Sequence, residues 1–175
     1  MKIVKLLSDL SFRQAVWLLP VAMVIHITEE LLGFPGWFTR HTVFEMTHIQ
    51  FIVYNVVFLG TALVCCISVS WISSRIGIWA LLFFCWLYCF WNGLFHISTT
   101  LVFKNLSPGT FTVFLLYIPL WFRLNHLARI ENKSSAAGIG LAAVTSGVVH
   151  GALVYLIWWQ EWLPLDWLPE LIGIQ

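Results

Sequence analysis

The stretch RQAVWLLPVAMVIHITEELL, residues 13–32, decides how the rest of this chain is read. It has the length of a membrane-crossing helix, for which about 20 mostly apolar residues at 1.5 Å rise each are needed. Yet it contains His26, Glu29 and Glu30, and no lysine or arginine after Arg13. At i, i+3 and i+4 these three groups share one helical face, within an arc of about 100°. Burying one carboxylate in hydrocarbon is costly, and two adjacent carboxylates also repel. Their charge must be offset by a protonated histidine, a bound cation, or a proton on one carboxyl. Ionisable residues inside a span are read as functional by default.

The surrounding chain has the same character. Of 175 residues, 60% are hydrophobic and 10% charged, and the mean hydropathy is +0.87; a soluble domain carries about 25% charged residues. The expected fold is all-α, a polytopic integral membrane bundle of about five transmembrane helices, forming a single domain over residues 1–175. A net charge of +1 gives no reason to expect nucleic acid as a partner. Lysines before the first apolar run raise the question of a signal peptide. No small-x-small cleavage site follows at the right distance, so the segment is read as a retained span.

That span is expected to end at the breaker Gly33-Phe34-Pro35-Gly36, before a short segment from Thr39 to Met46. Further spans are expected from Thr47 to Val69, from after Arg75 to Thr99, from Ser107-Pro108 to Trp121, and from Gly138 to Trp159. A polar linker, Arg123 to Ser135, is expected before the last of them. Lys2, Lys5, Arg13, Arg75, Arg123, Arg129 and Lys133 then fall on one side, and Arg40 and Lys104 on the other. This bias predicts a cytoplasmic N-terminus, a cytoplasmic-membrane location and a site in the extracytoplasmic half. Trp17, Trp71, Trp79 and Trp121 are expected near the inner interface, and Trp37, Trp91, Trp158, Trp159 and Trp162 near the outer one. A local repeat, Trp162–Asp166 and Trp167–Leu171, reads as an interfacial anchor. Cys65, Cys66, Cys85 and Cys89 lie in apolar runs and read as packing residues.

Other polar residues fall on helical faces as well. Cys85, Cys89, Asn92, His96 and Thr99 form a stripe at steps of three and four. Asn92 reaches the depth of Glu29 and Glu30, and His96 lies slightly further out. Glu45, His48 and Asn55 share a face, and Glu45-x-x-His48 has the spacing used by di-iron carboxylate bundles. Ser107-Pro108-Gly109 reads as a helix cap, whose outward N–H groups and positive dipole end could also seat an anion such as a phosphate headgroup. His150 stands beside Gly147 and Gly151, a close-packing spacing, and reads as a hydrogen-bonded core histidine or as a proton carrier behind the site.

Three motifs stand together: His26-Ile27-Thr28-Glu29-Glu30, Asn92-Gly93-Leu94-Phe95-His96 and Ser107-Pro108-Gly109. In this combination the chain resembles the HXXEE family of small membrane proteins of unknown function, over roughly residues 20 to 120. The family pattern has a tyrosine before Ser-Pro-Gly. Leu106 stands there in this chain, so Tyr88 or Tyr117 would have to supply any phenol. The resemblance implies a suspected enzyme without a known reaction.

The residues support several functions. A membrane-embedded enzyme acting on a lipid, isoprenoid or other small apolar substrate could use a divalent metal (zinc, iron or manganese) held by His26, Glu30 and His96. Glu29 would then be a base or fourth ligand. Alternatively, one protonated carboxyl donates a proton to an alkene and the other stabilises a carbocation, with aromatic residues, 17% of the chain, lining the path. A proton-coupled or metal-ion carrier could use His26, Glu29, Glu30, His96 and His150 as a relay. Without an internal repeat, such a carrier would work more readily as a homo-oligomer. A non-catalytic lipid-binding or assembly partner leaves the acid pair unexplained.

Overall fold

The computed structural model describes residues 9–42, 45–72 and 74–159, and these form helices and their connections without a strand. The described residues hold six helices: α1 (Phe12–Leu31), α2 (Phe34–His41), α3 (His48–Ile72), α4 (Arg75–Phe103), α5 (Thr110–Ile130) and α6 (Ala136–Trp159). All but α2 are long and apolar enough to cross a membrane. Lys2, Lys5 and the tail repeat from Trp162 to Leu171 lie outside the described residues.

The bundle is built on α4, which packs against α3, α5 and α6. The core joins Leu19 and Met23 of α1 to Ala62 and Cys66 of α3, Leu81, Leu82, Cys85 and Cys89 of α4, and Tyr117 and Leu124 of α5. All four cysteines are buried and unbridged, as their apolar settings predict. By contrast, α6 packs chiefly on α4 and has the smallest buried share of any span.

Proline accounts for one irregularity. Pro20 cannot donate to the Val16 carbonyl, and α1 is broken there into Phe12–Ala15 and Leu18–Leu31. The Val16 carbonyl accepts the Leu19 N–H at 3.1 Å and the Cys66 thiol at 3.3 Å, and the thiol ties α3 to the break. Wide π turns occupy Ser68–Ile72 at the end of α3, Trp86–Trp91 within α4 and Val113–Tyr117 near the start of α5. Such turns are rare and are frequently found at functional sites; here the last two carry Tyr88 and Tyr117.

Several boundaries differ from those expected. Gly33-Phe34-Pro35-Gly36 is a corner between two helices, because Gly33 caps α2 and Pro35 sits in its first turn, where a missing N–H costs nothing. The expected polar linker is helical as far as Ile130. Its apolar side buries Leu124, Leu127 and Ala128, while Arg123 Nη2 donates to the Leu10 carbonyl at 3.2 Å. Helix α4 continues past Thr99 to Phe103 and stops at Lys104, whose φ of 50° is left-handed. Two of the tryptophans expected near the outer interface pack against neighbouring helices, Trp91 half-buried. Trp37 is buried against Phe34 and Phe103, and Trp91 donates from Nε1 to the Ala143 carbonyl of α6 at 3.0 Å.

Candidate metal centre

One helical turn separates His26 from Glu30, so both side chains leave α1 on one face. His96 meets them from α4. Glu30 Oε2 lies 3.4 Å from His26 Nε2, and Glu30 Oε1 lies 3.2 Å from His96 Nε2. All three residues are buried, and their ligand atoms lie within 4.8 Å of one another, close enough to hold a metal ion.

The far side of each imidazole is anchored. His26 Nδ1 lies 2.7 Å from Thr112 Oγ1, and His96 Nδ1 lies 2.9 Å from Ser107 Oγ. The Thr112 hydroxyl donates its own hydrogen to the Gly109 carbonyl at 3.0 Å, so it accepts from His26 Nδ1. In the tautomer that donates from Nδ1 to this hydroxyl, His26 turns a bare Nε2 lone pair toward Glu30. Neither Nε2 makes a hydrogen bond, although both are buried. With both rings in the tautomer that donates from Nδ1, acceptors face acceptors around a common space. A cation at that point would satisfy all of them.

Glu29, the adjacent acid, is used differently. Rotated by one residue around α1, it meets the first turn of α5. Its Oε1 accepts from the N–H groups of Gly109 at 3.1 Å and Phe111 at 3.3 Å, and its Oε2 from that of Thr112 at 2.9 Å. Those groups have no partner within the helix, and the positive end of the helix dipole favours an anion there. The anion seat expected at Ser107-Pro108-Gly109 therefore exists, but this chain fills it with its own carboxylate. Both oxygens being engaged in this way, Glu29 is not among the three clustered groups, His26, Glu30 and His96.

The loop before α5 also departs from the expected cap. Ser107 is not the N-cap and Pro108 is not the first helical residue; Gly109 precedes the helix, with φ +96°. The Ser107 hydroxyl goes to His96, and its carbonyl accepts from Thr110 N–H at 3.2 Å and Thr110 Oγ1 at 2.6 Å. Pro108 packs on the end of α1, with its Cγ 3.2 Å from where a Cβ on Gly33 would stand. A Cβ on Gly109 would meet His26 Cε1 at 2.7 Å, His96 Cε1 at 3.0 Å and Glu30 Cγ at 3.1 Å. Glycine is needed here twice over, for its left-handed backbone and for the space.

Asn92, Asn55 and His150 lie around a cavity of about 270 Å³ that Glu30 also lines, and so they adjoin the cluster without joining its three ligand groups. Asn55 accepts the Tyr88 hydroxyl at 2.7 Å and donates from Nδ2 to the Phe51 carbonyl at 2.9 Å. Glu45 and His48 are exposed at the start of α3, where Thr47 and Gln50 form a capping box. Their Glu-x-x-His spacing marks a helix entrance, apart from the cluster. Gly147 lets α6 approach Trp91, whereas Gly151 has open space beside it.

Three further side chains lie near the histidines: Tyr117 and Tyr88, the two phenol sources the sequence offered, and Thr112. The Tyr117 ring lies 4.4 Å from the His26 ring and the Tyr88 ring 6.3 Å from it, centre to centre. The phenols that Leu106 cannot supply are thus both beside the site. Thr112 had no signal beyond its nearness to the Ser107 motif.

Comparison with known proteins gives one match. The profile of a family described as "Protein of unknown function with HXXEE motif" matches residues 17–124, a stretch holding every residue of the cluster and both of its hydroxyl anchors. No curated protein and no solved structure matches the chain.

Proposed function

The chain belongs to the HXXEE-motif family, whose reaction is unassigned, and from its geometry we propose a metal-dependent membrane enzyme acting on an apolar lipid or isoprenoid substrate. The observation that carries this reading is the pair of buried histidines. Each is held through Nδ1 by a hydroxyl, and each turns an unpaired Nε2 toward Glu30. Metal-bound histidines are usually oriented in this way by a partner on the second ring nitrogen. Each Nε2 faces its own Glu30 oxygen, at 3.4 and 3.2 Å, and the ligand atoms of all three residues lie within 4.8 Å of one another, a spacing that an ion drawn between them could bridge.

Two histidines and one carboxylate leave coordination positions open, as in catalytic zinc sites and mononuclear iron sites. A metal held here would polarise a substrate oxygen or activate water. Glu30, which also lines the cavity, would link metal and substrate. Thr112 and Ser107 would hold the imidazoles with Nε2 aimed at the metal. The paired-carboxylate route to a carbocation is less well supported, because Glu29 is spent on the α5 amides.

Elemental analysis of the purified protein is the direct test. The wild type is expected to contain close to one equivalent of a divalent metal, and Glu30→Gln and His96→Ala to have lost it. A folded wild type free of metal after purification without chelators, and unable to take any up, would overturn the proposal. Lipid profiling of a deletion strain addresses the reaction. A changed lipid species supports an enzyme, whereas an unchanged profile with altered cellular metal content points to a carrier.

A further inference from the structure

Helices α3 and α6 both flank α4, and the cavity beside Glu30 lies in the gap between them. We infer that this cavity is loaded sideways from the bilayer by a neutral, single-chain amphiphile whose oxygen function lies toward Glu30 and Asn92. The inference rests on the metal-enzyme reading above, and it specifies the substrate class and its route.

The route follows from exposure. Val57, on the α3 wall, is 62% exposed, and Tyr54, Leu153 and Val154 are half-buried, so the walls continue onto the apolar outer surface of the bundle. A molecule dissolved in the membrane could reach Glu30 without crossing a polar barrier.

The class follows from charge and size. No lysine or arginine lines the cavity, although phosphate recognition ordinarily relies on such cations. The nearby backbone anion seat on α5 is already filled by Glu29. A volume of about 270 Å³ sits at the low end of small-molecule sites, roughly 300–1,000 Å³, and suits one chain better than two. The polar groups on the walls are suited to a neutral oxygen. Asn92 and His150 line the cavity without a hydrogen-bond partner among the described residues, and an amide can both donate to and accept from a hydroxyl or carbonyl.

Photolabelling in nanodiscs with a diazirine-bearing dodecanol tests the inference. Mass spectrometry is expected to find the label within residues 54–58 and 150–154. Dodecanol should compete for it and dodecyl phosphate should not. Leu153→Trp, and independently Val57→Trp on the opposite wall, should remove most of the labelling while leaving metal content unchanged. Label spread over the outer face of α6 at Val144 and Val148, and indifferent to both tryptophans, would refute the route. Equal competition by dodecyl phosphate would refute the neutral class. Labelling should persist in His96→Ala, which removes a metal ligand that does not line the cavity, so a failed metal assignment and a failed cavity assignment give different results.

Discussion

Thr112 and Ser107 do the same work for two different histidines, and the chemistry at the centre depends on them as much as on the ligands. Replacing Thr112 by valine keeps the shape and removes the acceptor for His26 Nδ1. Loss of such an outer partner typically costs 10–100-fold in metal affinity. Thr112→Val is therefore expected to weaken metal binding by about 10–100-fold in a chelator competition, with Thr112→Ser close to wild type; equal affinity in all three would argue against the anchoring role. At this scale His26, Glu30 and His96 were legible in the sequence because a charged or imidazole side chain is anomalous in an apolar run. Thr112 was not, and Tyr117 was legible only as a stand-in for the phenol that Leu106 lacks. Threonine and tyrosine are ordinary occupants of such runs, and no spacing along α5 reveals that a hydroxyl or a ring meets a histidine some ninety positions away. Glu29 was legible as an anomaly and illegible in its role, since its partners are backbone groups that every helix possesses.

Among the elements, the join between α1 and α5 is the one that a single residue controls. Three N–H groups converge on Glu29, and hydrogen bonds to charged groups contribute about 1.5–3 kcal/mol each. Their loss is cushioned where the site is partly open, as Glu29 is half-buried. Glu29→Gln is expected to lower unfolding stability by about 1–3 kcal/mol overall while keeping the metal, the reverse of Glu30→Gln. Thermal unfolding run beside elemental analysis checks this, and a Glu29→Gln protein of wild-type stability that has lost its metal would contradict it. The spans themselves were readable from length and hydropathy. Their ends were not: the last turns of α5 are amphipathic, burying Leu124 and Leu127 beneath a polar outer side, and polarity alone resembles a linker. The π turns at Trp86–Trp91 and Val113–Tyr117 are equally hidden, because nothing in local composition distinguishes them from an α-helix.

For the molecule as a whole, the open question is which way it faces. The uneven distribution of lysine and arginine predicts an N-terminus in the cytoplasm and, with five spans, a C-terminus outside. An alkaline phosphatase fused to the C-terminus should be active and a green fluorescent protein fused there dark; the opposite pair of results would place the centre in the cytoplasmic half. The bundle also has an internal index. Successive residues on a helix point about 100° apart, and Glu29 and Glu30 are successive. One is read by the amides of α5 and the other by a histidine of α4. Together they act like two adjacent teeth of a gear, setting the rotation of α1 against two neighbours at once. Turning α1 by a single residue would disengage both. A transplant of the His-x-x-Glu-Glu motif into another bundle would thus carry its meaning only if the angular phase of three helices travelled with it.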